Sequence, residues 1–326
     1  MGTVLRSLSI ILPNYNGESL IPRFFPSVLQ AARNYDGEWE IIFVDDDSPD
    51  RSVEIIRQYM ESEPRIHLLI ADSNGGFSRT CNLGIGVATG EILFVLNTDV
   101  ELAEDYFAHF NDHFGNPEIF AVTCCGLRYG TDEQIDGIKK GHWRKGFLRV
   151  TENIFDTQIH AAAVSEPYLS FGIQGAYFFA DAERVRDLGG FDELFSPFFL
   201  EETDLAYRAL KRGWRVVYEP RCRGWHLVSA SVASKARQRQ RDLLSARNRL
   251  LFTWKNIHSR RLLWAHLAFL LLRLLTVNLV EWQALLQALA RRREVVRCRR
   301  TEKQVSVRSD RELLAFYKDY FRRFSV

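Results

Sequence analysis

The chain has 326 residues, 46% apolar and 26% charged, with 23 Phe, 11 Tyr and 7 Trp. That is globular composition with ample core material, and it excludes collagen-like, mucin-like and wholly disordered chains. The net charge of +2 hides an asymmetry: residues 231–326 carry 22 Lys+Arg against 7 Asp+Glu, and residues 1–230 carry 21 against 34. A segment so basic seeks an anionic partner.

The opening MGTVLRSLSIILPNYN has too short an apolar run for a signal peptide and reads as a first strand. Short apolar runs at 8–12, 40–44, 66–70, 92–96 and 119–123 read as strands. Helical-period segments lie near 19–34, 51–62, 77–88 and 104–114. The alternation predicts an α/β fold with a mostly parallel sheet, in which ligands bind beyond the carboxyl ends of the strands. The residues there are polar: PNYN at 13–16, DDDSPD at 45–50, DSNGG at 72–76 and NTD at 97–99. GxGxxG and P-loop signatures are absent, which argues against a dinucleotide oxidoreductase or a P-loop ATPase. Carboxylates instead suit a hydrated divalent cation on a diphosphate.

Residues 128–170, with Gly130, Gly137, Gly141 and Gly146, read as an irregular insertion or flexible loop over the site. A strand and helix start follow at 171–185, then a turn at GGFDELF (189–195). Glu201, Glu202 and Asp204 open a helix in FFLEETDLAYRALKRGW (198–214), and RVVYEP (215–220) is another strand, with His226 beyond it. Five cysteines without CxxC spacing make a disulfide framework or zinc ribbon unexpected and fit a reducing compartment. Residues 231–260 are basic and helical in pattern. Residues 262–290 are strongly apolar, yet Arg273 and Glu281 interrupt them, and with His266 they form one polar stripe on a continuous helix. Such a helix is expected to lie in a membrane interface rather than span it, with RRREVVRCRR (291–300) on anionic headgroups.

In order and spacing, PNYN (13–16), VDDDSPD (44–50), NGGFSRTCNLGI (74–85), TGEILFVLNTD (89–99), GGFDE (189–193), EETDLAYRALKRGWRVVYEP (201–220) and His226 resemble a family 2 glycosyltransferase with the GT-A fold. The LNxD spelling resembles the family's rhamnosyltransferase-like branch. The resemblance covers residues 7 to about 255. It implies a Rossmann-like catalytic domain over 1–228, its nucleotide-sugar half at 1–100 and its acceptor half at 100–228. Residues 229–326 would form a helical, membrane-associated extension.

The implied activity is transfer of a hexosyl or rhamnosyl group, by inversion, from a nucleotide diphosphate to a hydroxyl of a glycan or lipid-linked acceptor. Polysaccharide or glycoconjugate synthesis at the cytoplasmic face of a membrane would be the setting, with Mn²⁺ or Mg²⁺ as cofactor. No nucleic-acid partner is expected, and a homo-oligomer is compatible with the chain.

By the same resemblance, Pro13, Asn14 and Tyr15 line the base pocket, Asp46 contacts base or ribose, and Asp45 supports its loop. Asn74, Gly75 and Arg79 lie near ribose and diphosphate. Asp99 is the last residue of the metal motif, whose first position is Asn97 here, and His226 completes the metal shell. Glu202 stands where the family has its catalytic Asp; Asp204 is the alternative base, or a helix-start residue paired with Arg208. Arg247 and Arg249, within RNR, would neutralise diphosphate or form a basic helix face. The reading from a different class is a non-catalytic nucleotide-sugar-binding protein or scaffold, which the Asn97 and Glu202 departures favour.

Overall fold

A computed structural model describes residues 5–227, 235–275 and 278–324, with the side chains of 235–237 and 274 outside that set. The expected strands form where the sequence is apolar on both faces: β1 (Leu8–Asn14), β2 (Trp39–Asp45), β3 (Ile66–Ile70) and β4 (Ile92–Leu96). Between them run α1 (Ile21–Arg33), α2 (Ser52–Ser62) and α3 (Phe77–Val87). β1, β2 and β4 are almost wholly buried, as strands covered by helices on both faces must be. Next come β5 (Val100–Leu102) and β6 (Ile119–Arg128). The helix expected at 104–114 is instead two short 3₁₀ turns, Tyr106–Ala108 and Phe110–Asp112. The helical spacing of its buried rings is real, but Tyr, Phe, His, Asn and Asp are weak helix formers, so packing of Tyr106, Phe107 and Phe110 on Phe179 sets the backbone.

The segment at 128–170 is ordered. It holds β7 (Gln134–Asp136), β8 (Ile138–Arg144), β9 (Phe147–Ile154), α4 (Asp156–Ala162) and β10 (Tyr168–Ser170). β8 and β9 pair as a separate hairpin, and its turn residues Lys145 and Gly146 have φ 48° and 72°. Two consecutive positive φ values are what a two-residue turn needs to match strand twist. Three of the four glycines that suggested flexibility are packing devices: a Cβ would meet the Ile154 carbonyl at Gly137, the Phe171 ring at Gly141 and Phe269 at Gly146, while Gly130 is open.

β11 (Tyr177–Asp181) and β12 (Arg215–His226) complete the main sheet, with α5 (Ala182–Asp187) and α6 (Glu201–Lys211) between them. Its order is β10-β12-β6-β11-β4-β1-β2-β3, with β5 on β12 and β7 on β6. β1, β2, β3 and β4 are parallel to one another, β12 is parallel to β6, and β11 is antiparallel to both β4 and β6. The strand expected at 215–220 therefore runs on to His226.

Five helices follow: α7 (Lys235–Asn256), α8 (Arg260–Leu274), α9 (Leu279–Ala290), α10 (Arg292–Val305) and α11 (Asp310–Phe321). Residues 228–234, where the basic stretch was expected to begin, lie outside the described set. The continuous helix expected at 262–290 is two helices, with Arg273 on the first paired to Glu281 on the second. His266 leaves the proposed wet stripe: it is buried, bonded to Trp254 Nε1 at 3.0 Å and to the Gly146 carbonyl at 2.9 Å. No helix among the described residues is long and apolar enough to cross a membrane.

The break expected at 228 is not a boundary in packing. Asp310, 1% exposed, accepts from Lys211 Nζ at 2.7 Å, from the Tyr207 hydroxyl at 2.8 Å, and from the backbone N–H groups of His258 and Ser259 at 2.6 Å. Tyr320 also ties the C-terminal helices to the sheet: its hydroxyl accepts from the Leu169 N–H at 2.8 Å. The C-terminal helices close the core of the sheet domain.

Candidate active site

The expected donor loops gather at the carboxyl edge of β1, β2 and β4, but several of their side chains work on the backbone. Asn14 is 2% exposed and donates to Asp45 Oδ2 at 2.7 Å, while the Ser48 N–H donates to Asp45 Oδ1 at 2.9 Å. Asp45 thus supports its loop, and Asn14 ties the first loop to the second rather than facing solvent. Asp46 accepts from the Gly75 N–H at 2.9 Å and the Gly76 N–H at 2.8 Å, one bond per oxygen. It clamps the loop that enters α3. Tyr15 is 51% exposed and Pro13 half-buried beside it. Asn74 is exposed, and Arg79 folds back beside Gly75 with Nη1 3.2 Å from Ser73 Oγ. Pro13, Tyr15, Asn74, Gly75 and Arg79 therefore border an open shelf that Asn14 and Asp46 hold in shape.

Asp99 and His226 come together because β12 pairs antiparallel with β5: His226 lies opposite Val100, and the Leu227 N–H donates to the Asp99 carbonyl at 2.9 Å. His226 Nε2 is 3.3 Å from Asp99 Oδ1. That oxygen is buried and makes no hydrogen bond, an arrangement that costs free energy unless something joins it. A carboxylate oxygen and an imidazole nitrogen suit a divalent cation such as Mn²⁺ or Mg²⁺. Asn97 and Thr98 are half-buried in the same turn. Among the described residues no three His, Cys, Asp or Glu side chains converge, so this pair supplies only part of a coordination shell.

Glu201 and Glu202 open α6 after a strained approach. Phe199 and Leu200 have φ 83° and 73°, two consecutive non-glycine residues in the left-handed region, each costing about 1–3 kcal/mol. α7 holds that turn in place. Asn248, fully buried, donates Nδ2 to the carbonyls of Phe195, Phe198 and Phe199 at 2.7, 3.0 and 2.9 Å. Arg247 donates to the Ser196 carbonyl at 2.6 Å and to Asn248 Oδ1 at 2.9 Å. Arg247 is only 6% exposed, so it buttresses the turn instead of reaching a diphosphate at the surface. The turn also presses on the donor shelf: a Cβ on Gly76, whose φ is +79°, would lie 2.9 Å from Pro197 Cα.

The two glutamates face different ways. Glu201 is 7% exposed, its Oε2 has no partner, and its charge acts on Cys81 together with that of Asp46, on the donor side. Burial first, then repulsion from Glu202, push its carboxyl up to about 8. Glu202 is half-buried and lines a cavity of about 300 Å³ with Arg149, Leu200, Thr203, Arg249 and Phe252. Its pKa is also raised, chiefly by burial. A base poised above the ordinary carboxylate range suits proton removal from a hydroxyl near neutral pH. Asp204, the alternative base, is inaccessible. It is fully buried, bonded to Arg208 Nε at 2.7 Å, to Lys255 Nζ at 2.7 and 2.9 Å and to Asn256 Nδ2 at 2.7 Å. Those cations hold its pKa low against burial, and its carboxylate is taken up by bonds to protein. A larger cavity of about 640 Å³ lies between the β8–β9 hairpin and α11, and none of these carboxylates lines it.

Asn248 and Arg149 are the site residues that the sequence does not single out by role; Arg249, expected with Arg247 near a diphosphate, lines the Glu202 cavity. RNR at 247–249 is visible as a basic patch. Its central Asn carries the turn, and nothing local announces a contact 49 to 53 residues away.

Two family models match the chain: "Glycosyl transferase family 2" over residues 9–171 and "Glycosyl transferase family group 2" over residues 92–290. The chain is 31% identical over 99 residues to an undecaprenyl-phosphate 4-deoxy-4-formamido-L-arabinose transferase of Pectobacterium carotovorum, which is 30% of each chain. It is 31% identical over 127 residues to the uncharacterized glycosyltransferase EpsJ of Bacillus subtilis, 39% of this chain and 36% of that one. These matches span about a third of the relatives' length. Among solved structures, a mannosyltransferase of Pyrobaculum calidifontis in complex with GDP-Man and Mn²⁺ superposes with a TM-score of 0.57 at 16% identity, over 99% of this chain and 87% of that one. GalNAc-T7 with UDP, GalNAc and Mn²⁺ superposes at 0.60 and 18% identity, over 77% of this chain and 48% of that one. The sheet order, the motifs at its carboxyl edge and the family models agree: this chain belongs to glycosyltransferase family 2 and has the GT-A fold.

Proposed function

We propose that the protein transfers a sugar from a nucleotide diphosphate to a hydroxyl of a lipid-linked glycan acceptor, with inversion, using Glu202 as general base. The observation that carries this reading is the pairing of a buried, unbonded Asp99 oxygen beside His226 with a raised-pKa Glu202 at the floor of a separate cavity. Donor complexes with Mn²⁺ in the fold neighbours support it, as does the undecaprenyl-phosphate transferase among the relatives. Neither names the sugar of this chain.

The shelf of Pro13, Tyr15, Asn74, Gly75 and Arg79 receives the nucleotide. Asp99 and His226, with Asn97 next to them, would hold a divalent cation, which when bound would neutralise charge on the departing diphosphate. The acceptor hydroxyl enters the Glu202 cavity on the other side. Glu202 takes its proton as the oxygen attacks the anomeric carbon, and the diphosphate leaves from the opposite face. Asn248 and Arg247 keep the 195–200 turn from drifting, so that Glu202 stays aimed.

The exposed apolar residues of α8 and α9, among them Trp264 (68%), Leu272 (63%) and Leu279 (66%), with Leu275 (78%) just after α8, support placement on a membrane surface. Arg260, Arg261, Arg292 and Arg293 flank them. Peripheral attachment at the cytoplasmic face would put the Glu202 cavity beside a lipid-linked substrate. The test is nucleoside diphosphate release from a panel of nucleotide sugars by the full chain, with Mn²⁺ and with chelator. Release from one donor that chelation abolishes supports the reading. Tight donor binding with no release under any condition would instead make the chain a nucleotide-sugar-binding protein.

A further inference from the structure

The cavity that holds Glu202 has a charge problem that the proton transfer does not solve. Its walls come from β9, the 199–200 turn, the start of α6 and α7, and none comes from β1, β2, α3 or β4. Arg149 and Arg249 stand in its walls, both half-buried. Arg249 braces on its own helix, with Nη2 2.7 Å from Ser245 Oγ. Burial first, and then repulsion from Arg249, Arg273 and Arg144, lower the pKa of Arg149; Glu281 is the opposing carboxylate, and it is already paired with Arg273. Asp242 adds a carboxylate near Arg249. Like charges gathered in a half-buried site are unfavourable unless an anion joins them, and guanidinium forks match phosphate oxygens.

The cluster also leads somewhere. Arg273 lies on α8, whose Leu267, Leu271 and Leu272 are 41%, 56% and 63% exposed, and Leu275 just after it is 78% exposed. Apolar surface, guanidinium cluster and base cavity follow one another.

We propose that the acceptor is an amphiphile in which a phosphate or diphosphate joins an apolar tail to the sugar, and that Arg149 and Arg249 bind that phosphate beside Glu202. The tail lies along α8 and the acceptor hydroxyl reaches Glu202. This rests on the transferase reading for the identity of the cavity, but its test needs no turnover.

The probe is dodecyl phosphate, titrated by equilibrium binding into the full chain in chelator, so that a metal-bound diphosphate site does not compete. Inorganic phosphate and dodecanol are titrated alongside. The wild-type chain should bind dodecyl phosphate more tightly than either. Arg149→Gln with Arg249→Gln should weaken it at least about 10-fold, each lost charge-assisted bond being strong. Arg149→Lys with Arg249→Lys should recover part of the affinity, and Arg300→Gln, on exposed α10, should change nothing. Unaltered thermal melting of the Lys pair shows that the site, not the fold, is read. Equal binding to wild type and to the Gln pair overturns the proposal, and so does inorganic phosphate binding as tightly as dodecyl phosphate. Parallel loss of nucleotide-sugar affinity in the Gln pair, measured with Mn²⁺, would assign the arginines to the donor and also overturn it. Failure of donor turnover alone would strike the transferase reading and leave this binding result standing.

Discussion

Glu201 and Glu202 are neighbours in sequence with different environments, and the difference is measurable. Glu201 is buried with an unpartnered oxygen and is pushed up to about 8. A raised carboxyl pKa means the native state keeps a proton that the unfolded chain releases. Stability contributed by that proton is complete below the ordinary glutamate range and is lost as pH rises through about 8. Glu201→Gln cannot ionise, so its melting temperature should gain on wild type between about pH 5 and about pH 9. A constant gap between the two would contradict the burial argument. Asp204 gives the opposite case. Asp204→Ala would leave buried Arg208 without its anion and Lys255 with Asp192 alone, a loss of about 3–5 kcal/mol in a denaturant melt; a loss under about 1 kcal/mol would make the network incidental. The Asp204–Arg208 pair was legible, being one helical turn apart. Lys255 and Asn256 were not, because they arrive from α7 through tertiary packing, and they are what removes Asp204 from the chemistry. The same holds for Asn14 and Asp46: the motif identifies the loops, while only the register of β1 on β2 and the approach of Gly75 show that these side chains bond to protein.

At the scale of elements, the parallel strands were readable because burial on both faces demands continuous apolar runs, and the loop polarity marked their functional edge. The β8–β9 hairpin was misread because glycine serves both looseness and close packing, and Lys145-Gly146 has none of the Asn-Gly signature of such turns. The helix at 262–290 was misread because periodicity does not show a break; Asn278 caps α9 by accepting from the Val280 N–H at 3.0 Å. The most consequential element is the 195–200 turn, since it stores strain directly before Glu202. Asn248→Ala removes all three of its bonds to that turn. The variant should still bind nucleotide sugar within about twofold but lose about 10²-fold or more in transfer rate, because a base displaced by an ångström is a poor base. Equal losses in donor affinity and rate would show that Asn248 supports the fold generally.

The whole molecule pairs an acidic part, residues 1–230, with a basic helical part, and the second is fastened to the first through Asp310, Tyr320 and Lys255. Composition revealed the asymmetry, but not that the basic half completes the core and one wall of the Glu202 cavity. Leu271→Asp with Leu272→Asp, both exposed, should leave melting unchanged and abolish partitioning onto anionic phosphatidylglycerol vesicles. Undiminished partitioning would remove α8 from the membrane contact. The account as a whole turns on the point where the halves meet. Donor titration and single-turnover transfer, run together on Glu202→Gln, test it most directly. The account predicts donor affinity equal to wild type and a transfer rate about 10²–10⁴-fold lower, since a base acts in the transition state. Wild-type transfer by Glu202→Gln, with donor bound as tightly as before, would contradict it.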